Sequence, residues 1–140
     1  MPKLEVRGLS LDRGGQTVLH GVDLRVDAGD VLMLIGPSGS GKSSLLRALN
    51  RLEEPAAGTV FLDGADITTL PVLDLRRRVG MVFQQPAMFP GTIAENIAYG
   101  PALHGETVSP DRVRELLDWM HLEPTLAEKS ATELSGGQAQ

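Results

Sequence analysis

The sequence predicts an α/β fold with three parts: a glycine-rich strand-to-helix core, an antiparallel β subdomain from the N-terminal third, and a helical subdomain from about residue 88. Three features carry this. The glycine-rich stretch Gly36–Ser43 lies between the apolar run Val31–Ile35 and a leucine stripe at 45, 46, 49 and 52, the order of a buried strand, a tight loop and an amphipathic helix. Residues 17–26 alternate apolar and polar, as in a sheet with one wet face. Beyond residue 88 the apolar positions recur at helical spacing.

The 140 residues amount to one domain's worth of chain, and 41% of them are apolar, enough for a lean core. A net charge of −5 argues against nucleic acid as a partner, because such surfaces are basic. With no cysteine there is neither a disulfide framework nor a thiolate metal site. The N-terminus carries no apolar signal segment, and no apolar run approaches the ~20 residues that span a bilayer. Work at a membrane would therefore go through a partner.

In chain order, residues 3–8 and 17–26 are predicted as strands, joined by the turn Arg13-Gly14-Gly15-Gln16. Val31–Ile35 is expected to be a strand buried on both faces. After the first helix, Glu53-Glu54-Pro55 reads as a solvated loop. Thr59–Leu62 is a short strand and Asp63-Gly64 a turn. Asp74–Val79 is a short helix whose three arginines suit a solvated helix end, and it leads into an expected strand at Gly80–Phe83. Thr92-Ile93-Ala94-Glu95 is a capping box opening a helix to about Tyr99, with loop from Gly100 to Thr107. Ser109-Pro110 starts a helix carrying Val113, Leu116, Leu117 and Met120 on one face, with Trp119 and Met120 expected as packing residues. Ser135 caps a helix start at Gly136-Gly137. So short a helix, begun by two glycines, is not expected to be stable alone. The chain accordingly reads as incomplete.

The chemistry concentrates at Gly36-Pro37-Ser38-Gly39-Ser40-Gly41-Lys42-Ser43, which fits G-x-x-x-x-G-K-[ST]. Glycines let successive backbone N–H groups converge on a polyphosphate. The helix that follows adds unpaired donors and a positive dipole end at Lys42, Ser43 and Ser44. Lys42 is placed to reach β- and γ-phosphates, and the Ser43 hydroxyl to ligate Mg²⁺. A ligand-free glycine turn is the bland alternative. The strand and helix expected on either side favour the nucleotide reading.

Two further stretches carry a resemblance. Val82-Phe83-Gln84 looks like a Q-loop, and Leu134-Ser135-Gly136-Gly137-Gln138 matches the ABC signature without a mismatch. With the phosphate loop in family order, the chain resembles the ATP-binding subunit of ABC transporters over essentially its whole length. The resemblance implies a P-loop NTPase core, an incomplete ABC ATP-binding domain over 1–140, and truncation before the Walker B strand. Residues 1–87 would form the β subdomain and P-loop core, and 88–140 the helical subdomain. The parallel sheet would be short and its open edges prone to aggregate.

The implied ligands are ATP and Mg²⁺, with Gln84 joining Ser43 near the metal. Ser135, Gly136, Gly137 and Gln138 would contact ATP held by a second ATP-binding subunit in a head-to-tail dimer. Residues 86–99 would face the transmembrane permease, with Phe89 and Ile93 as apolar candidates or simply packing residues. This places the protein on the cytoplasmic face of the membrane, held through the permease. Arg13 stands where the family usually stacks an aromatic residue on adenine, and a guanidinium can stack there too. Val18 would touch the base edge.

The Walker B aspartate, catalytic glutamate, D-loop and switch histidine do not occur, and His20, His104 and His121 lie in no switch context. The 140 residues alone are therefore expected not to turn over ATP. The wording of 81–86 and 89–100 looks most like the phosphate-importer type. Two other classes remain open at this point. One is a P-loop kinase or GTPase, though no Asn-Lys-x-Asp occurs. The other is a non-catalytic module or gene remnant, to be decided by the codons after 140.

Overall fold

Gly14 and Gly15 set the first pairing. Both have positive φ, 59° and 80°, the requirement of a two-residue hairpin whose twist matches its strands. They join β1 (Leu4–Arg13) to β2 (Gln16–Val26), with Arg13 opposite Gln16. β1 runs five residues past the expected end at residue 8. Its register shifts three times on the way, between Val6 and Leu9, between Leu9 and Leu11, and between Leu11 and Asp12. Side chains of the facing strand hold the spare amides there. Gly8 N–H donates to Asp23 Oδ1 at 2.8 Å, and Gly21 N–H to Ser10 Oγ at 2.9 Å. Bulges of this kind bend a strand while keeping its apolar face turned inward.

The computed structural model describes residues 2–140 and divides into two compact units, Met1–Met81 and Val82–Gln140. In the first, β3 (Val60–Leu62) pairs with β1 and with β4 (Ala65–Asp66), giving the antiparallel order β2-β1-β3-β4. Asp63-Gly64 is again a turn with two positive φ values, 51° and 81°. Helix α1 (Lys42–Leu49) lays Leu45 and Ala48 on the sheet against Val6, Leu9, Val60, Ile67 and Leu75 of α2 (Val72–Arg78).

Two expected strands do not form. Val31–Ile35 and Gly80–Phe83 are extended chain without strand pairing among the described residues. Val31 and Ile35 are each 91% exposed, and Val82 and Phe83 are exposed as well. A strand buried on both faces needs neighbours on both edges, and the described residues supply none.

Long-range contacts also revise the polar readings. Glu53 is not a solvated loop residue. Its side chain is 18% exposed and sits 3.8 Å from Arg13 and 3.5 Å from Arg47. Glu54 does face solvent, paired with Arg51. The three arginines of α2 are individually spent rather than simply solvated. Arg76 donates to the carbonyls of Asn50 and Arg51 at 3.2 and 2.7 Å, taking up acceptors left over at the end of α1. Arg77 pairs with Asp74, and Arg78 with Asp63 at 2.6 Å.

The second unit holds α3 (Ile93–Ala102) and α4 (Pro110–Trp119) around a separate core of Ile93, Val113, Leu117, Ala127 and Ala131. The capping box at Thr92 and Glu95 and the Ser109 cap both form. α3 continues three residues beyond Tyr99, taking Pro101 into its last turn. Ile93 is 4% exposed, so it packs inside rather than facing a partner. Trp119 and Met120 are exposed, contrary to a packing role. Trp119 instead lies under the Arg112 guanidinium, 4.9 Å from the ring centre. The glycine-led α5 (Gly136–Ala139) is a single helical turn with its own capping box. No helix among the described residues is long and apolar enough to cross a membrane.

Candidate functional site

The glycine loop lies in the first unit. Ser40 N–H closes a turn on Pro37 O at 3.3 Å, and Gly39 and Gly41 take φ of 81° and 88°. Gly41 is required twice over. Besides its φ, a Cβ there would sit 2.7 Å from Val18 O and 2.8 Å from Leu19 Cδ2. The loop therefore rests directly on β2, and α1 can begin only if this position has no side chain. At Gly36 a Cβ would meet Ser40 Oγ at 2.8 Å.

What the loop offers is a set of unspent donors. α1 has no side-chain cap, and its first in-register bond runs from Leu45 N–H to Gly41 O at 2.8 Å. The amides of Gly41, Lys42, Ser43 and Ser44 find no acceptor among the described residues. Lys42 folds back over the loop. Its Nζ donates to Gly36 O at 2.8 Å, Pro37 O at 2.7 Å and Ser40 Oγ at 3.2 Å. A cation and several free N–H groups thus share one stretch of backbone, a donor set suited to an anion. The Ser43 hydroxyl bonds to no described residue, leaving its oxygen available as a hard ligand of the kind Mg²⁺ takes. Ser44 differs from its neighbours. Its side chain is buried with Leu45 and Ala48, so only its amide can serve a ligand. Among the described residues there is no cluster of histidine and carboxylate side chains that would hold a metal ion.

Arg13 ends β1 at the hairpin, largely exposed, with its guanidinium beside Glu53. Glu53 Oε1 also faces Arg47, whereas its Oε2 is buried without a partner. Val18 is half-buried against the sheet core and touches the loop through its carbonyl at Gly41. Both residues thus belong to the unit that holds the glycine loop.

Gln84 and residues 135–138 belong to the second unit and are described there by themselves. Gln84 lies on an exposed bend. Ser135 caps α5 through a reciprocal pair: Gln138 N–H donates to Ser135 Oγ at 3.3 Å, and Ser135 N–H to Gln138 Oε1 at 3.0 Å. Gly136 and Gly137 have open space where a Cβ would stand. Of the loop 86–92, Phe89 is half-exposed and stacks on Tyr99 with ring centres 4.1 Å apart. A groove of about 360 Å³ opens beside it, lined by Met88, Phe89, Ile97, Met120 and Leu134 among others. Asn96, which the sequence reading passed over, clamps this loop with three side-chain hydrogen bonds.

A family-wide sequence profile described as "ABC transporter" matches residues 19–140. The chain belongs to the ABC transporter family. Relatives include Protein STAR1 of Oryza sativa subsp. japonica, 57% identical over 99% of this chain and 41% of that protein. ABC transporter I family member 17 of Arabidopsis thaliana is 51% identical over 99% of the chain and 53% of that protein. The choline transport ATP-binding protein OpuBA of Bacillus subtilis (strain 168) is 40% identical over 91% and 34%. The chain therefore spans about half the length, or less, of these relatives.

Among solved structures, cbiO1 from Clostridium perfringens, part of the ABC transporter complex cbiONQ, superposes with a TM-score of 0.79 at 26% identity. That match covers 99% of this chain and 57% of cbiO1. A bacterial Atm1-family ABC exporter with ATP bound gives 0.76 at 28% identity, covering 99% and 26%. The fold is that of the ABC ATPases, and family membership implies ATP as the nucleotide. The kinase and GTPase readings fall with it.

Proposed function

We propose that this chain forms the nucleotide-holding part of an ABC transporter ATP-binding subunit, which couples Mg-ATP binding and hydrolysis to solute movement through a separate permease. One observation carries the reading. The free amides of Gly41–Ser44 and the Lys42 ammonium belong to the same loop, and no carboxylate among the described residues pairs with them. Lys42 exchanges part of its carbonyl contacts for phosphate oxygens, and the free amides of Gly41–Ser44 turn to the phosphates. Ser43 would hold the Mg²⁺ in this unit, and the ion would supply charge neutralisation on the phosphates when bound. Arg13 stacks on the base, steered by Glu53 beside it, and Val18 borders the base edge.

Ser135–Gln138 complete the site of a second subunit, in trans. Their open backbone at Gly136 and Gly137 supports that role. The permease is contacted through residues 86–99, with Phe89 and the neighbouring groove as the apolar surface and Ile93 kept for the core. The subunit works on the cytoplasmic face of the membrane. Hydrolysis belongs to the protein that also carries the Walker B carboxylates and the switch histidine, and the 140 residues alone bind without turnover. For the solute, the likeness of 81–86 and 89–100 to the phosphate-importer type puts phosphate among the candidates. None of the relatives named above is named for phosphate, and one is named for choline transport.

Ser135→Arg tests the scheme. In the full-length subunit, nucleotide affinity of the monomer should be unchanged and ATP-driven dimerisation lost, as read by sedimentation with and without Mg-ATP. Loss of monomer affinity instead would overturn the trans role.

A further inference from the structure

We infer that Asn96 is a positioning residue that latches the Phe89–Thr92 loop to the segment leading into Ser135, so that the two move as one piece. The bonds run in sequence within the second unit. Asn96 Oδ1 accepts Phe89 N–H at 2.8 Å, and its Nδ2 donates to Phe89 O at 3.0 Å and Thr92 O at 2.9 Å. Both hydrogens of the side-chain amide and its carbonyl are thereby spent on the loop. None of this is needed to start α3, because the Thr92–Glu95 box already serves that purpose.

Thr92 in turn stands opposite Ser130 in an antiparallel bridge closed by two bonds: Ile93 N–H to Lys129 O at 3.0 Å, and Ala131 N–H to Gly91 O at 3.0 Å. Ile93 and Ala131 are both buried in the second core, which holds the bridge from behind. From there the path to Ser135 is short. Ser130 caps a 3₁₀ turn over Ala131–Glu133, Leu134 packs on the same core, and Ser135 opens its own capping box. No glycine interrupts 129–135, so no residue there has the extra freedom to absorb a displacement.

The apolar end of this assembly is the half-exposed Phe89, and the other end is the exposed Ser135–Gly137 turn. Force or occupancy at the loop is therefore transmitted to the orientation of that turn. The functional arm of this inference rests on the trans role of Ser135 proposed above. The mechanical arm does not.

Hydrogen exchange and sedimentation on the full-length protein test both. Asn96→Ala should speed exchange of the Ile93 and Ala131 amides about tenfold and carry the acceleration on to Ser135–Ala139. Monomer affinity for Mg-ATP should stay unchanged while ATP-driven dimerisation weakens about tenfold. Asn96→Asp keeps the acceptor for Phe89 N–H and loses both donors. It should show the same pattern at smaller amplitude, and it stands in if the alanine variant does not fold. Acceleration confined to 89–92, or spread evenly over both units, overturns the latch. Acceleration that reaches 139 with dimerisation intact upholds the latch and overturns only the reading of Ser135.

Discussion

Two glycine-rich turns in this chain each open a helix, and they differ in whether a side chain caps that start. At Gly36–Ser43 no side chain caps α1, and the amides of its first turn are unspent. At Ser135–Gly137 a side-chain cap is present, Ser135 and Gln138 satisfying each other, while the amides of Gly136 and Gly137 find no acceptor among the described residues. An uncapped helix start costs stability unless something else supplies the acceptor. The first turn accepts that cost and can receive an anion without breaking a bond of its own helix start. The second is capped by its own side chains, and while Ser135 Oγ accepts Gln138 N–H its hydroxyl hydrogen remains to be donated elsewhere.

Substitutions can break or refine this contrast. Gly41→Ala should have the largest effect. A Cβ at φ 88° and within 2.8 Å of β2 atoms should destabilise the first unit by roughly 3 kcal/mol, read as a lowered thermal midpoint, with nucleotide binding lost alongside. Lys42→Ala removes the ammonium and leaves the glycines in place. ATP affinity should fall about 100-fold by calorimetry, the scale of a lost charge-assisted contact, with stability little changed. Affinity that survived would end the phosphate-loop assignment.

Gln138→Ala should act on the second turn alone. Undoing the reciprocal cap should cost that helix start about 1 kcal/mol, seen as faster exchange of the Ser135 amide, while ATP affinity stays at the wild-type value.

The smallest effect is a control remote from both turns. Burial pushes the Asp66 carboxyl up, but hydrogen bonds from Thr68 N–H, Gly58 N–H and the Thr68 hydroxyl outweigh it and leave the pKa below its ordinary 3.8. A depressed carboxyl contributes stability that is present above the unfolded value and lost as pH falls through the folded one. Stability of the first unit should therefore decline below pH 3.8, and Asp66→Asn should flatten that decline in acid titrations followed by circular dichroism.

What could be read from the sequence was local. Gly14-Gly15 dictates a hairpin wherever it occurs between strands, the Thr92–Glu95 and Ser135 caps are fixed by side chains three residues apart, and the glycine loop carries its own chemistry. What could not be read depends on distant neighbours. Val31–Ile35 is apolar enough for a central strand, yet pairing is a property of two segments, and periodicity describes only one. Glu53 and Arg76 looked solvated because their partners, Arg13 and the Asn50 carbonyl, lie tens of residues away in sequence. Ile93 was ambiguous because an apolar residue in the first turn of a helix can face either side, and only the 129–131 segment shows that it faces inward. Asn96 carried one faint signal, an amide just inside a helix start that already has its cap.

The unpaired stretch Val31–Ile35 also bears on how the protein is made. Synthesis delivers it early, directly before the glycine loop, as bare β-prone backbone with apolar side chains on both faces. Until strands settle on either side of it, such a segment is a preferred handhold for chaperones and a seed for strand-to-strand misassembly between nascent chains.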